Sequence, residues 1–187
     1  MTTPGDEARS QLLEEAVEAA HRPDVPIEQL RAFVHRYFRH VADEDLVARE
    51  PVDLAGIALS HVQAAAHRAD GTAAVRVFTP TVDEHGWATG HTVVEIVTDD
   101  MPFLVDSVSA ELTRQNRAIH LVIHPTFVVR RTVTGDLLDV LDASPSAVPT
   151  GRRHPDWPDD ARVESWIHVE IDRETHPGQL EQLSAAA

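Results

Sequence analysis

The chain contains no cysteine and no lysine. The lack of cysteine excludes disulfides, thiol nucleophiles and thiolate metal sites, and it favours a reducing, cytoplasmic location. Because all 16 basic residues are arginine, Schiff-base chemistry on a lysine amine and the lysine of a P-loop are also excluded. The 8 glycines nowhere form the pattern G-x-G-x-x-G of dinucleotide sites. We therefore expect this chain to hold no cofactor and no catalytic residue.

Long apolar runs and a basic leader are also missing. No apolar run approaches the roughly 18 residues that a membrane-spanning helix needs. The first seven residues have neither the basic start nor the apolar centre of a secretory signal. The formal net charge of −15 repels nucleic-acid phosphates and anionic lipids. These features predict a cytoplasmic protein with no nucleic-acid partner and no membrane partner.

Residues 1–70 are predicted to form an N-terminal helical segment. Apolar residues recur at helical spacing in three stretches, at 12–20, 26–41 and 52–68. Prolines separate the first two stretches, and a polar segment with a glycine ends the third. Three short amphipathic helices of this kind are typical of a small helical bundle.

Residues 72–187 have a different pattern, in which predicted strands and helices both occur, and they predict an α+β domain. The predicted strands lie at 75–78, 92–97, 119–131, 137–141 and 165–171, and the predicted helices lie at 103–115 and from 175 onward. This order favours a mainly antiparallel sheet with helices on one face. Pro125 interrupts one strand, as at an edge or a bulge. Four prolines predict a long excursion at 142–163. The last helix has no capping residue, so we expect a domain truncated within it and cut from a longer protein.

The 12 histidines raise the question of a metal site. His120 and His124 share one face of a predicted strand, but at about 3.3 Å per residue their Cα atoms are roughly 13 Å apart. A zinc site needs three or four ligands at about 2.0–2.2 Å. We therefore predict no metal site and interpret these histidines as half-buried side chains of the sheet.

The strongest local motif is the junction between the strand at 92–97 and the helix that follows it. Six residues of this junction form the candidate site: Asp99, Asp100, Met101, Pro102, Phe103 and Leu104. In the structural interpretation, Asp99 or Asp100 caps the helix by accepting hydrogen bonds from its first N–H groups, and Pro102 occupies the first turn. In the functional interpretation, which does not exclude the first, those N–H groups bind the carboxylate of a small effector.

The segment from Val93 to Val108 resembles the opening of an ACT-type regulatory domain. In such domains a strand passes through Asp-x-Pro-Gly-Leu into a helix, and Asp100, Pro102 and Leu104 match this pattern. The resemblance implies a ferredoxin-like fold and an amino-acid effector at the junction. Phe103 stands where the pattern has glycine, and a side chain there predicts crowding of a ligand that approaches the backbone.

A second and more specific resemblance lies in four blocks between about residues 30 and 171. The blocks are Tyr37-Phe38-Arg39-His40-Val41, Val75-Arg76-Val77-Phe78-Thr79-Pro80, His91-Thr92-Val93-Val94-Glu95-Ile96-Val97 and His120-Leu121-Val122-Ile123-His124-Pro125. Together they resemble the N-terminal region of the large-subunit class of bacterial NAD-specific glutamate dehydrogenases. The resemblance implies a parent enzyme that oxidatively deaminates L-glutamate to 2-oxoglutarate and ammonia. The catalytic and NAD-binding parts of that enzyme are then expected far downstream.

The resemblance implies a regulatory or assembly module without catalysis of its own. Its expected partners are the remainder of the parent polypeptide, the other subunits of a homo-oligomer and a small amino-acid effector, and NAD belongs to the parent enzyme only. The alternative is a purely structural protein–protein interaction domain with no ligand. The Asp-x-Pro junction favours the sensor, and Phe103 favours the structural alternative.

Overall fold

A computed structural model describes residues 4–143 and 157–186 of the chain. Its helices are α1 (Pro4–Ala20), α2 (Ile27–Tyr37), α3 (Asp43–Val47), α4 (Pro51–Ala64), α5 (Val82–His85), α6 (Leu104–Arg114) and α7 (Pro177–Ala186). Its strands are β1 (Ala74–Phe78), β2 (Thr92–Asp99), β3 (Ile119–Ile123), β4 (Thr126–Arg131), β5 (Leu137–Leu141) and β6 (Ala161–Ile171).

The strands form one six-stranded sheet in the order β1-β2-β6-β4-β5, and every neighbouring pair is antiparallel. The 11-residue β6 lies at its centre. Along one side β6 pairs with β2, and along the other it pairs first with β4 and then with β3. The predicted interruption at Pro125 is confirmed, because this residue lies between β3 and β4 and has no N–H to give to a ladder.

The N-terminal helices cover one face of the sheet. Val34 of α2 and Ile57 of α4 are fully buried, and they share one apolar core with Val97 of β2, Phe127 of β4 and Trp166 of β6. The rings of Phe127 and Trp166 meet edge to face in this core, and the half-buried ring of Phe33 packs against both. The helical segment and the sheet are therefore held together by common apolar packing.

The helices α6 and α7 cover the opposite face. Leu112 of α6 and Leu183 of α7 pack in a second core with Ile96, Ile167 and Val169 of the two central strands. Side chains alternate between the faces of a strand, so β2 and β6 are buried on both sides. The predicted fold class is confirmed: an N-terminal helical segment precedes a mainly antiparallel, ACT-like α+β sheet.

Several predicted element boundaries differ from the structure. The third predicted helix ends at Ala64 rather than at 68, and Arg68, beyond its end, pairs its guanidinium with the buried carboxylate of Glu164. The short helices α3 and α5 were not predicted, and α5 is capped by Thr81, whose hydroxyl accepts from the N–H of Glu84. The strand predicted from 165 already begins at Ala161. Of the predicted excursion at 142–163, residues 144–156 lie outside the described residues.

Candidate functional site

The two aspartates of the predicted site turn away from the helix that they precede. Asp99 Oδ1 accepts a hydrogen bond from Arg68 Nη2 at 2.6 Å, and Asp100 Oδ1 accepts one from Ser165 Oγ at 2.6 Å. The prediction that one of them caps α6 is wrong: Phe103 occupies the N-cap position, and its side chain makes no capping hydrogen bond. The two carboxylates instead accept hydrogen bonds from the buried guanidinium of Arg68 and from the hydroxyl of Ser165 on β6.

Phe103 adopts a backbone conformation that favours glycine. Its φ is 66°, in the left-handed region, and its side chain is 76% exposed. For a residue with a Cβ this conformation costs roughly 1–2 kcal/mol. The glycine of the Asp-x-Pro-Gly-Leu pattern would adopt it without strain. The ring points into solvent, away from the space between α6 and the sheet.

We expect Phe103→Gly to raise the free energy of unfolding by about 0.5–1 kcal/mol, because relief of roughly 1–2 kcal/mol of strain exceeds the entropic cost of a glycine. Urea denaturation of the two proteins measures the change. Phe103→Ala is the matched control, since it removes the ring and keeps a Cβ at positive φ. An equal gain in both variants would show that the ring, and not the backbone, is responsible.

Beneath the junction lies a cavity of about 390 Å³ between α6 and the sheet. Its lining residues are Ala73, Ile96, Thr98, Met101, Leu104, Ser107, Val108, Glu111, Leu112, Gln115 and Ile167. Met101 and Leu104 are thus the two predicted site residues that contribute to it. Glu111 carries the single charge of the lining, and hydrogen bonds from Arg114 and Gln115 lower its pKa to about 2. The cavity therefore offers apolar walls, two hydroxyls, an amide and one ionised carboxylate.

On the other face of the sheet, two arginines enclose the carboxylate of Glu164. Arg131 donates to both of its oxygens at 2.7 and 2.9 Å, and Arg68 donates to Oε1 at 2.7 and 3.1 Å. All three side chains are completely buried. Burial opposes the charge of Glu164, but the two arginines outweigh it and lower its pKa. Because Arg68 also binds Asp99, this network joins the candidate site to the end of α4 and to β4.

Farther along the same face, a second buried polar group fills the space between the sheet and the helices. His61 of α4 lies between the hydroxyl of Tyr37, 2.8 Å from its Nδ1, and the carbonyl of Ile96, 3.2 Å from its Nε2. These partners fix a neutral tautomer in which Nδ1 accepts and Nε2 donates. Burial, together with the nearby charges of His168 and Arg76, lowers the pKa of His61 to about 3.

Glu170 of β6 is another buried polar side chain on this face of the sheet. Arg49 holds its carboxylate through two parallel hydrogen bonds of 2.8 Å, and His91 Nδ1 lies 3.2 Å from Oε2. Burial raises its pKa, but the contacts of His168 and Arg49 outweigh burial and bring the pKa to about 2. Glu170 therefore stays ionised and ties the segment before α4 to the sheet.

The histidines of the described residues do not converge on one ion. His91 stacks on His120 with ring centroids 4.2 Å apart, and His120 Nε2 lies 2.8 Å from a carboxylate oxygen of Asp172. Within residues 4–143 and 157–186, no three histidine or acidic side chains are arranged to hold a metal. In the same ranges, no helix combines the length and apolarity that crossing a membrane requires.

The family model for the ACT1 domain of glutamate dehydrogenase matches residues 33–187, which is most of the chain. The chain belongs to this family. The match begins within α2 and includes every strand and the whole candidate junction. The resemblance carried by the four sequence blocks is confirmed.

Two curated relatives of this ACT1 domain carry the same name. The chain is 34% identical over 168 residues to the NAD-specific glutamate dehydrogenase of Pseudomonas aeruginosa, and 32% identical over 158 residues to that of Halomonas elongata. These alignments cover 90% and 84% of this chain. The chain spans only about a tenth of the length of either relative. No solved structure matches it with significance.

Sequence reasoning missed the buried charges of the ACT1 domain. Glu95, Glu164, His168 and Glu170 project from β2 and β6 toward the N-terminal helices, and none of them is accessible. Along β6, polar side chains alternate with apolar ones such as Ile167. In a sequence, this pattern suggests a strand with one solvent-exposed face. The sequence did contain one indication that this face of the sheet is buried. The predicted N-terminal helices have apolar stripes, and these stripes need a surface to cover.

Proposed function

We propose that this ACT1 domain is a non-catalytic regulatory module of a NAD-specific glutamate dehydrogenase and that it senses a small amino acid at the β2–α6 junction. The parent enzyme oxidatively deaminates L-glutamate to 2-oxoglutarate and ammonia, with NAD bound elsewhere in the polypeptide. The partners of the module are the rest of that polypeptide and the other subunits, in the cytoplasm. The relatives' names support the parent activity, and the cavity beneath the junction supports the sensor.

The cavity carries the sensing proposal because its chemistry fits an amino acid with an apolar side chain. Ile96, Leu104 and Val108 supply apolar walls for such a side chain. The first N–H groups of α6 have no acceptor within the helix, so they can bind a carboxylate. Glu111 supplies the opposite charge for an ammonium group. Phe103 leaves this space open, because its ring is directed to solvent.

We expect apolar amino acids to raise the Tm of the chain and Val108→Phe to remove this effect by filling the cavity. A ligand that binds only the folded state stabilises it by about 2.7 kcal/mol at a concentration 100-fold above Kd. Thermal unfolding in the presence of each standard amino acid, followed by titration calorimetry, measures the response. Val105→Phe is the matched control, because Val105 lies on α6 outside the cavity lining.

The alternative function is a structural interaction domain without a ligand. The observation in its favour is the exposure of two large apolar side chains at the junction, Met101 at 48% and Phe103 at 76%. If it holds, no amino acid changes the Tm, and Phe103→Ser weakens association between this domain and the rest of the enzyme. Binding of an amino acid that Val108→Phe abolishes would decide for the sensor.

A further inference from the structure

His168 of β6 lies between two carboxylates in the interior of the protein. Its Nδ1 is 4.0 Å from Glu95 Oε1, and its Nε2 is 3.5 Å from Glu170 Oε1. All three side chains are completely buried. Both ring nitrogens of His168 and both carboxylate oxygens of Glu95 lack a hydrogen-bond partner of good geometry. Buried polar groups that lack a hydrogen-bond partner destabilise the folded state.

A carboxylate on each side of an imidazole demands two donors. The neutral ring carries only one N–H, so one ring nitrogen would direct a lone pair at an ionised carboxylate. One additional proton removes this conflict in either of two places. It can convert His168 to the imidazolium, which donates to both acids, or it can protonate Glu95, which then donates to Nδ1. The number of bound protons is the same in both cases.

Two arginines supply the positive charges next to the triad. Arg76 of β1 lies 2.9 Å from Glu95, and Arg49, from the segment before α4, pairs with Glu170. His91, before β2, also contacts Glu170. From the helices, His61 of α4 and Tyr37 of α2 face the triad. Burial raises the pKa of Glu95 and, aided by the charges of Glu95 and Glu170, that of Tyr37. Neither Tyr37 nor the neutral His61 supplies a charge.

We propose that the folded domain binds one extra proton in the triad Glu95–His168–Glu170, so that packing of the helical layer on the sheet weakens as the pH rises above neutral. The triad lies under α2 and α4, whose side chains cover it. The domain then responds to proton concentration at a place remote from the effector cavity, which is on the opposite face of the sheet. This inference does not depend on the proposed function.

The direction of the pH dependence is set by the number of protons that each state binds. An unfolded histidine releases its proton near pH 6.5 and an unfolded glutamate near pH 4.3. Between about pH 4.3 and 6.5 the folded and unfolded chains therefore hold the same number of protons on His168 and Glu95. Above this range the folded state holds one more, and the stabilisation is lost as the pH rises through the folded pKa. In that window the unfolding equilibrium constant increases by about tenfold per pH unit.

The experiment is urea denaturation of the full chain at intervals from pH 6.5 upward, for the wild type, Glu95→Gln and the surface control Glu44→Gln. The amide introduced by Glu95→Gln can donate to His168 Nδ1 without an added proton, so the difference in pH slope should approach one proton. Glu44→Gln should keep the wild-type slope. Proton release on unfolding at pH 8 in weakly buffered solution provides a second readout, with about one proton fewer from Glu95→Gln.

Equal pH slopes and equal proton release for the wild type and Glu95→Gln would overturn the proposal. If Glu95→Gln fails to fold, Glu170→Gln serves in its place, because its amide can donate to His168 Nε2 and leave the single N–H of a neutral His168 to face Glu95. The wild-type slope must then exceed that of Glu170→Gln by about one proton. Equal pH slopes for the wild type and this substitute variant would likewise overturn the proposal of a shared proton.

Discussion

Replacing Glu164 with glutamine is expected to lower the free energy of unfolding by about 3–5 kcal/mol, the loss that follows when one partner of a buried ion pair is removed. The change keeps the shape of the side chain but removes its charge. Arg68 and Arg131 are completely buried beside it, so two guanidinium groups would lose their shared carboxylate. Equilibrium urea denaturation measures the loss, and the domain should remain folded only at low denaturant.

The matched control is Glu111→Gln. Glu111 also pairs with an arginine, Arg114, but that pair is open to solvent and spans a single turn of α6. Surface pairs of this kind contribute little, so the control should denature close to the wild type. Similar losses in the two variants would mean that burial of the Glu164 pair does not determine its contribution.

Replacing Gly135 with alanine is expected to cost about 3 kcal/mol, by combining backbone strain with a steric clash. Gly135 has φ 101°, and an added Cβ would collide with the backbone carbonyl of Arg68. The carbonyl of Gly135 also accepts from the N–H of Arg68 and from Arg131 Nη1, at 2.9 and 2.8 Å. The clash therefore pushes apart the backbone segments that position both arginines around Glu164.

Gly71→Ala separates strain from clash. Gly71 also has a positive φ, 69°, but an added Cβ would meet nothing within 4 Å. We expect a loss of about 1 kcal/mol, because the left-handed strain is partly offset by the lower entropy of the unfolded alanine chain. Circular dichroism at fixed denaturant compares the two variants, and a Gly135→Ala protein as stable as Gly71→Ala would contradict the close approach to Arg68.

The order of elements was predictable because it depends on local patterns. The dense β-branched run of β2 and the 3.6-residue stripe of α2 mark their structures without reference to the rest of the chain. The cap of α6 was not predictable in this way. Asp100 stands where a capping residue is expected, yet its carboxylate accepts a hydrogen bond from Ser165, which is distant in sequence. Such competition between local and tertiary partners is decided only in the folded chain.

The candidate site likewise combines residues that a local motif identifies with residues that only the folded chain brings to it. The motif located the junction, and Met101 and Leu104 do line a cavity there. The remaining walls come from Ala73, from β2, from β6, from the rest of α6 and from Gln115, and their sequences carry no sign of a ligand. The buried acids of β2 and β6 were hidden for another reason: a glutamate on a strand is normally solvent-exposed, and only the helical layer makes these positions interior.

The central place of β6 in the sheet has a consequence for how the protein is made. β6 is the last of the described strands in sequence, yet it separates β2 from β3 and β4. During synthesis the inner edges of those earlier strands have no neighbour until residue 171 has left the ribosome. Unpaired edges invite contacts with other chains, and pairings between distant segments form slowly. The nascent domain therefore passes through a vulnerable interval that ends when its final strand inserts.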